Sequence, residues 1–276
     1  MLPRAARALA SSSPRVPLLS RLRIVDGAAA FVAAGFDPSP PFHIGGVAVD
    51  LIGGGAANGW AWKNGASHGS ERVSLDGIDT EIDGFLVMQQ SLQHERGQRH
   101  PNGALGLYSL TVVSADLERT MRAFAAPAGL GAPRRVAEPS PFSPDLSMAF
   151  YKAGSATGDV IIEVVAPRRP GTAVRLGAGL PPIGADRDAP AYLGGMVVVV
   201  PDLASLSDVL GADRVGKARP AVQGQGRMIA PARHDALGLS LSLAFITPPD
   251  PAALQSRAKR GAQKGLATVL TTNAPT

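Results

Sequence analysis

A strand–turn–helix pattern occurs twice in this chain, and the repeat constrains the fold more than any other feature. The first copy begins at Leu107 and reads Leu-Tyr-Ser-Leu-Thr-Val-Val-Ser-Ala-Asp-Leu, and the second begins at Gly194 and reads Gly-Gly-Met-Val-Val-Val-Val-Pro-Asp-Leu. The aspartates of the two copies, Asp116 and Asp202, are 86 residues apart (202 minus 116). Each copy continues into an apolar hairpin. Such self-similarity indicates two copies of one βα-plus-hairpin unit, which can enclose a cavity between them.

The net charge of +5 is distributed unevenly along the chain. Residues 1–25 contain five arginines and residues 251–276 contain four basic residues, and neither segment contains an acid. Residues 26–250 hold the remaining 18 bases and all 22 acids, so this part carries about −4. The folded part is therefore not expected to bind nucleic acid. For the C-terminal tail, a solvated, disordered segment is favoured over a nucleic-acid patch.

The N-terminal segment is rich in arginine, serine and alanine and lacks acids, as mitochondrial and plastid transit peptides do. The alternative is a basic, disordered leader from a GC-rich genome. The transit interpretation predicts a mitochondrial or chloroplast location in a eukaryote, and otherwise the protein is expected in the cytoplasm. No apolar run reaches the length of a membrane span. The chain has no cysteine, which excludes disulfides and thiolate zinc sites.

The pattern of apolar runs and breakers divides the chain into six segments. Between the leader and the repeat, it predicts a short helix over residues 26–35 and two strands joined by a hairpin at Gly53–Gly55, without an obvious first strand. Residues 64–104 are polar and irregular, with one apolar stretch at Gly84–Met88. The predicted segments are a basic leader (1–25), a hairpin-containing extension (26–103), a first module (104–167), a linker (168–190), a second module (191–249) and a basic disordered tail (250–276).

These features resemble the vicinal oxygen chelate superfamily and, within it, the glyoxalase-like proteins. The resemblance is carried by the Asp-Leu turns at Asp116 and Asp202, by His-Pro-Asn-Gly-Ala-Leu-Gly-Leu from His100, and by the last strands of both copies. It covers roughly residues 100–250 and implies an α+β fold of paired βαβββ modules that form a curved, incomplete barrel. Members include lyases, isomerases and dioxygenases, and others bind small molecules without a metal. Whether the modules pair within one chain or in a homodimer stays open.

The resemblance also implies a divalent metal, held by a histidine on the first strand and a glutamate on the last strand of the modules. The histidine positions hold Ser109 and Gly195 here, and only Glu163 supplies a carboxylate on a last strand. In the second module, Leu243 and Ala244 occupy the carboxylate position and cannot coordinate. One carboxylate does not hold a catalytic metal. The sequence therefore predicts a protein that binds or converts a small organic molecule in the cavity between the two modules, without a catalytic metal. The alternatives are a metal-free binding protein without catalytic activity and a structural protein with a collapsed cavity.

Glu163 is the predicted catalytic residue, because it lies within an otherwise apolar strand. Such an acid either lines a polar cavity with a raised pKa and acts as a base, or faces solvent or an arginine. A site built from the first and last strands places it near either Tyr108 or Ser109, because strands alternate faces. The predicted ligand-binding residues are Tyr108, Ser109, Tyr151, Arg227 and His234.

Two of these predicted ligand-binding residues have competing interpretations. Arg227 binds a carboxylate of the ligand or is exposed at the surface. His234 acts as a cavity base oriented by Asp235 or forms a surface turn. The expected partner is a small molecule, not nucleic acid or a membrane.

Overall fold

The computed structural model describes residues 16–53, 58–63, 70–83, 98–125, 129–136, 143–155, 157–169, 171–174, 182–222 and 224–255. Most of the predicted leader and tail, the apolar stretch at residues 84–88 and part of the predicted linker lie outside these residues. Within the described part of the chain, no helix has the length and apolar character needed to cross a membrane.

The described residues form one mixed β-sheet flanked by short helices. Its main path runs β12-β13-β14-β11-β7-β10-β9-β1-β4-β6-β5, with β2, β3 and β8 paired off this path. The strands are β1 (Leu18–Ile24), β2 (His43–Ile44), β3 (Val47–Leu51), β4 (Gly59–Lys63), β5 (Ser70–Leu75), β6 (Ile78–Asp83), β7 (Gly106–Val113), β8 (Arg134–Arg135), β9 (Leu146–Ser155), β10 (Gly158–Pro167), β11 (Tyr192–Val199), β12 (Arg219–Pro220), β13 (Met228–Pro231) and β14 (Ser242–Ile246). The helices are α1 (Ala28–Ala33), α2 (Leu117–Ala125), α3 (Leu206–Leu210) and α4 (His234–Leu237).

Two βαβββ modules make up the C-terminal part, which confirms the predicted fold class. In the first, β7 pairs in parallel with β10, β10 pairs antiparallel with β9, and β9 pairs antiparallel with β8. In the second, β11, β14, β13 and β12 repeat this pattern. An antiparallel pairing of β7 with β11 joins the modules within one chain. The sheet stays open, ending at β12 and β5, so it is a curved, incomplete barrel.

The predicted aspartate turns form at the start of both module helices. The Asp116 carboxylate accepts a hydrogen bond from the Arg119 amide at 3.0 Å, as an N-cap does. The Asp202 carboxylate accepts hydrogen bonds from the amides of Ala204 and Ser205 at 3.0 and 3.2 Å. The second helix begins only at Leu206, so Asp202 organises the turn that precedes it.

A second, shorter pair of strand units precedes these modules. Strand β1 pairs in parallel with β3, which pairs with β2, and β4 pairs in parallel with β6, which pairs with β5. An antiparallel pairing of β1 with β4 joins the two units, as β7–β11 does later in the chain. Residues 18–24, predicted as part of the leader, are instead the first strand of this pair of units. The hairpin predicted at Gly53–Gly55 is wrong, because β3 and β4 lie on opposite sides of β1.

Strands β5 and β6 form a hairpin in a region that the sequence analysis described as irregular. Its two-residue turn is Asp76-Gly77, and both residues have positive φ angles, of 53° and 96°. Such angles define the type I′ turn, and Asp-Gly between apolar residues is its usual sequence. Gly77 is also required by packing, since an added Cβ would lie 2.3 Å from Pro190 Cβ.

The main core lies on the helix-covered face of the sheet. Trp60, Trp62, Phe124 and Tyr151 form a chain of ring contacts with centroid distances of 5.1 to 5.6 Å. On the opposite, concave face of the first module, a smaller cluster fills only one end. It consists of Val113, Leu146, Met148, Val165 and Ile183. The other end of that face is left for a cavity.

Candidate functional site

An open cavity of about 890 Å³ occupies the unfilled end of the concave face. Its apolar walls include Leu105, Leu107, Val136, Phe150, Ile161, Val199, Val222, Pro248 and Pro249. Its polar lining consists of Tyr108, Arg134, Lys152, Thr157, Asp159, Glu163 and Arg227. A mostly apolar pocket with a few convergent polar groups is typical of a small-molecule site.

Strand register explains why Glu163 faces this cavity. Glu163 lies opposite Thr111 of β7 and Phe150 of β9, and Ile161 lies opposite Lys152. Side chains of paired residues share a face, and every second residue of a strand returns to that face. Glu163, Ile161, Phe150 and Lys152 therefore lie on one face of the sheet, and all four line the cavity.

A β-bulge brings Tyr108 to the same cavity. In the pairing of β7 with β11, Leu107 is opposite Val198 and Ser109 is opposite Val197, so Tyr108 has no partner of its own. An extra residue of this kind breaks the strict alternation and redirects its side chain. Tyr108 therefore lines the cavity, although its neighbour Ser109 also belongs to the concave face.

Burial shifts the proton equilibrium of Glu163. Desolvation of the carboxylate raises its pKa from 4.5 to about 7, and a hydrogen bond from Thr111 acts in the opposite direction. Among the described residues, no basic side chain forms a salt bridge with Glu163. At neutral pH, protonated and ionised forms of this group are therefore present in comparable amounts.

In the N-terminal pair of units, the position that corresponds to Glu163 is also a carboxylate, but there it forms an ion pair with an arginine. Strand β1 has a bulge at Ser20, which corresponds to the bulge at Tyr108 in β7. The residue three positions after each bulge is paired with an acid on the neighbouring parallel strand. Arg23 is paired with Asp50, and Thr111 is paired with Glu163. Asp50 is thus the counterpart of Glu163. It forms an ion pair with Arg21 at 3.5 Å, and on the neighbouring unit Asp79 pairs with Arg23 at 2.8 Å. The carboxylate of the C-terminal pair lacks such a partner within the described chain.

Arg227 and Tyr108 form a stacked pair at the cavity wall. The Arg227 Cζ atom lies 4.9 Å from the centroid of the Tyr108 ring, and Arg227 Nη1 donates a hydrogen bond to the Thr247 carbonyl at 3.0 Å. Burial raises the pKa of Tyr108, while the Arg227 charge lowers it and the Glu163 charge raises it. Tyr108 is thus within electrostatic range of both charged groups, and the three side chains belong to one site.

The other three predicted ligand-binding residues differ from Tyr108 and Arg227 in their surroundings. The Tyr151 ring packs 5.6 Å from Phe124 in the core, and its hydroxyl donates to the Met121 carbonyl at 3.4 Å, although Tyr151 borders the cavity. Ser109 is fully buried, and its Oγ has no hydrogen-bond partner among the described residues. His234 begins helix α4, and its side chain lies outside the described part.

Sequence reasoning missed three charged residues of the cavity and also Thr111, which is paired with Glu163 on the neighbouring strand. Thr111 lies beside Glu163, Arg134 stacks over Phe150 at 5.0 Å, and Lys152 pairs with Asp159 at 2.8 Å on the cavity wall. The apolar runs at residues 148–153 and 160–165 contained the necessary signal. Aligning them as a hairpin would have placed Lys152 and Phe150 on the Glu163 face.

The residues at the positions where the resemblance implied metal ligands do not fit a divalent ion. The Ser109 hydroxyl is enclosed, Leu243 is part of the core, and an added Cβ at Gly195 would lie 2.3 Å from Ser242 Oγ. The Ser242 hydroxyl donates to the Gly194 carbonyl at 3.0 Å and fills the space where a ligand would project. Across the described ranges, no group of three or more histidine, aspartate or glutamate side chains could hold a metal. The metal-free site stays a prediction.

The close contact at Gly195 can be tested by substitution. Gly195→Ala is expected to lower the free energy of unfolding by about 2 kcal/mol, because the new methyl group overlaps Ser242 Oγ. Combining it with Ser242→Ala should recover most of that loss, since the overlapping atom is then absent. Urea unfolding of the single and double variants measures both effects. Equal losses with and without the Ser242 hydroxyl would contradict the assignment of that atom as the obstacle.

Comparison with known proteins gives only remote similarities. No family model matches the chain, and no curated protein matches it. A crystal structure of methylmalonyl-CoA epimerase from Mycobacterium tuberculosis is 16% identical over 55% of this chain and 94% of its own, with a TM-score of 0.37. A variant of 4-hydroxymandelate synthase from Streptomyces coelicolor is 12% identical over 85% of this chain and 92% of its own, with a TM-score of 0.47. Both neighbours are members of the vicinal oxygen chelate superfamily. At these identities and TM-scores the similarities carry no argument about chemistry.

Proposed function

We propose that this protein binds a small organic molecule in the cavity of its C-terminal module pair and that Glu163 exchanges a proton with it. One observation carries the proposal: Glu163 is a carboxylate in a mostly apolar cavity, without a basic partner among the described residues, and its pKa is raised to about 7. A perturbed titratable group in a cleft is typical of a functional site.

The arrangement supports acid–base chemistry on a carbon acid. A general base is most efficient when its pKa lies near the working pH, because it is then both available and strong enough. In this proposal, ionised Glu163 removes a proton from a carbon next to a carbonyl group. The Tyr108 hydroxyl, held on the same face by the bulge, donates a hydrogen bond to the oxygen on which negative charge develops. The raised pKa of Tyr108 keeps that hydroxyl protonated at neutral pH.

Sequestration without turnover is the second candidate function. It is favoured by the residues at the positions where the resemblance implied metal ligands, because Glu163 is the single carboxylate among them. A sequestering protein would bind its ligand and release it unchanged. The two candidates differ in whether Glu163 changes the chemical state of the bound molecule or only its affinity.

Proton exchange in heavy water distinguishes the two candidates. Phenylpyruvate and phenylacetone are carbon acids of similar size, and incorporation of deuterium next to the carbonyl group can be followed by proton NMR. We expect the protein to accelerate exchange of at least one of them, and Glu163→Gln to reduce that acceleration at least 100-fold. The exchange rate should rise with pH through about 7, as Glu163 loses its proton.

Asp159→Asn is the matched control for this experiment, because it removes another carboxylate from the same cavity. Asp159 is exposed and pairs with Lys152, so its loss should leave the exchange rate within a factor of two or so of the parent. Exchange that is equally fast in Glu163→Gln and in the parent protein would refute the acid–base role. Binding of either probe without any exchange would support sequestration instead.

A further inference from the structure

We infer that the molecule bound in this cavity is an organic anion whose carboxylate is held by Arg227. This inference rests on the proposed function, because it names the class of molecule that the same cavity accepts. It is carried by the charge balance of the lining, by the way Arg227 is fixed, and by the cavity that Arg227 and Tyr108 line together with Glu163.

The cavity lining carries an excess of positive charge. Its basic residues are Arg134, Lys152 and Arg227, and its acids are Asp159 and Glu163. Lys152 and Asp159 neutralise each other at 2.8 Å. Among the described residues, no carboxylate forms a salt bridge with Arg134 or Arg227. Even when Glu163 is ionised, the lining retains about one uncompensated positive charge, so an anion is attracted to it.

Arg227 is held in place without using up its hydrogen-bonding capacity. One guanidinium nitrogen donates to the Thr247 carbonyl at 3.0 Å, and the group stacks over the Tyr108 ring at 4.9 Å. A guanidinium has five N–H donors in a planar fork that matches a carboxylate, so donors remain for a ligand. Because these contacts already fix the side chain, little conformational entropy is lost when an anion binds.

Arg134 differs from Arg227 in its surroundings. Its side chain is exposed and stacks on Phe150 on the far side of Glu163. Arg227 is half-buried, so its interaction with an anion is screened less by water. Arg227 is therefore the group that holds the carboxylate, and Arg134 adds to the field that attracts it.

The remaining lining fits the rest of such a ligand. Leu107, Ile161, Val199 and Pro248 provide apolar walls for its body. Tyr108 interacts electrostatically with both Arg227 and Glu163. A ligand with its carboxylate at Arg227 therefore occupies the cavity that Glu163 also lines, where its adjacent carbon atoms are accessible to Glu163. Arg227 thus acts as a binding and specificity residue, whereas Glu163 acts on the ligand.

Paired probes test the inference on the full-length protein. Phenylpyruvate and phenylacetone differ chiefly in that a carboxylate replaces a methyl group, and their affinities can be measured by titration calorimetry or NMR. We expect phenylpyruvate to bind at least tenfold more tightly than phenylacetone. Arg227→Met should remove this preference, and Arg227→Lys should keep part of it, because lysine retains the charge without the fork. Arg219→Met, at an exposed position of β12, serves as the control with the same charge change and should retain the preference.

Each outcome separates this inference from the proposed function. Equal affinity for the two probes, binding of neither, or an undiminished preference in both Arg227 variants overturns the anion site. If Glu163→Gln still loses proton exchange in that case, the proposed acid–base role survives alone. Conversely, a preference that depends on Arg227 together with exchange that does not depend on Glu163 supports the anion site and refutes the acid–base role.

Discussion

Asp76→Asn should lower the free energy of unfolding by about 3 kcal/mol, since it removes one partner of a largely buried ion pair. The Asp76 carboxylate is only 7% exposed and accepts a hydrogen bond from Arg119 Nε at 2.6 Å. Its second oxygen accepts a hydrogen bond from the Thr120 hydroxyl. Asp76 lies in the β5–β6 turn, whereas Arg119 and Thr120 belong to α2. The substitution therefore loosens the attachment of the N-terminal strands to the first module.

Asparagine is the informative replacement because it isolates the charge. Asp76 has a φ of 53°, a left-handed conformation that asparagine tolerates and alanine does not. After the substitution, Arg119 keeps its hydrogen bonds to the carbonyls of Arg187 and Ala189 at 2.7 and 2.5 Å but loses the opposite charge. The substitution thus removes the ion pair between the β5–β6 turn and α2 without a change in turn geometry.

Urea unfolding monitored by tryptophan fluorescence measures this loss, because Trp60 and Trp62 are buried in the shared core. Glu118→Gln is the control, since it breaks an ion pair with Arg135 in which both side chains are 53% exposed. Exposed pairs contribute little, so the control should cost less than about 1 kcal/mol. Similar losses in the two variants would show that Asp76 does not fasten the two parts of the chain.

Much of the C-terminal fold could be predicted from the sequence because each module carries a local signal. Asp116 and Asp202 organise the turn after a valine-rich strand. The two aspartates also mark equivalent positions in the two modules. The N-terminal strands lacked so clear a signal. In β1, Arg21 and Arg23 contributed to the positive charge of the supposed leader, yet they alternate with the buried residues Leu22 and Ile24. Charge alone therefore concealed an alternating strand pattern.

The candidate site was less predictable because it depends on pairing between distant strands. The sequence placed either Tyr108 or Ser109 toward the cavity, and the bulge that decides the matter arises only when β7 pairs with β11. The sequence predicted that Tyr151 binds the ligand, but it did not reveal how β9 pairs with β10. In that pairing Tyr151 lies opposite Ile162, and its ring packs against Phe124. Arg227 stacks on a residue 119 positions away (227 minus 108), and no local pattern reveals such a contact.

Glu163→Gln should gain stability relative to the parent protein as the pH rises. Burial raises the pKa of Glu163 from 4.5 to about 7, so the folded state holds this proton more tightly than the unfolded state does. The resulting stabilisation is fully present below pH 4.5 and is lost as the pH rises through about 7. Glutamine does not titrate, so its contribution stays constant over this range.

The expected size of the change follows from the pKa shift. Each pKa unit corresponds to about 1.4 kcal/mol, and the partial exposure of Glu163 reduces the total to about 2–3 kcal/mol between pH 4.5 and pH 8.5. Denaturant unfolding of both proteins at these two pH values measures it without any knowledge of the ligand. Asp159→Asn removes an exposed acid of the same cavity. The difference in free energy of unfolding between this variant and the parent should change by less than about 1 kcal/mol between the two pH values. If the free energies of unfolding of Glu163→Gln and the parent also change equally with pH, Glu163 titrates as an ordinary surface acid. The cavity would then lack the group on which the proposed acid–base chemistry depends.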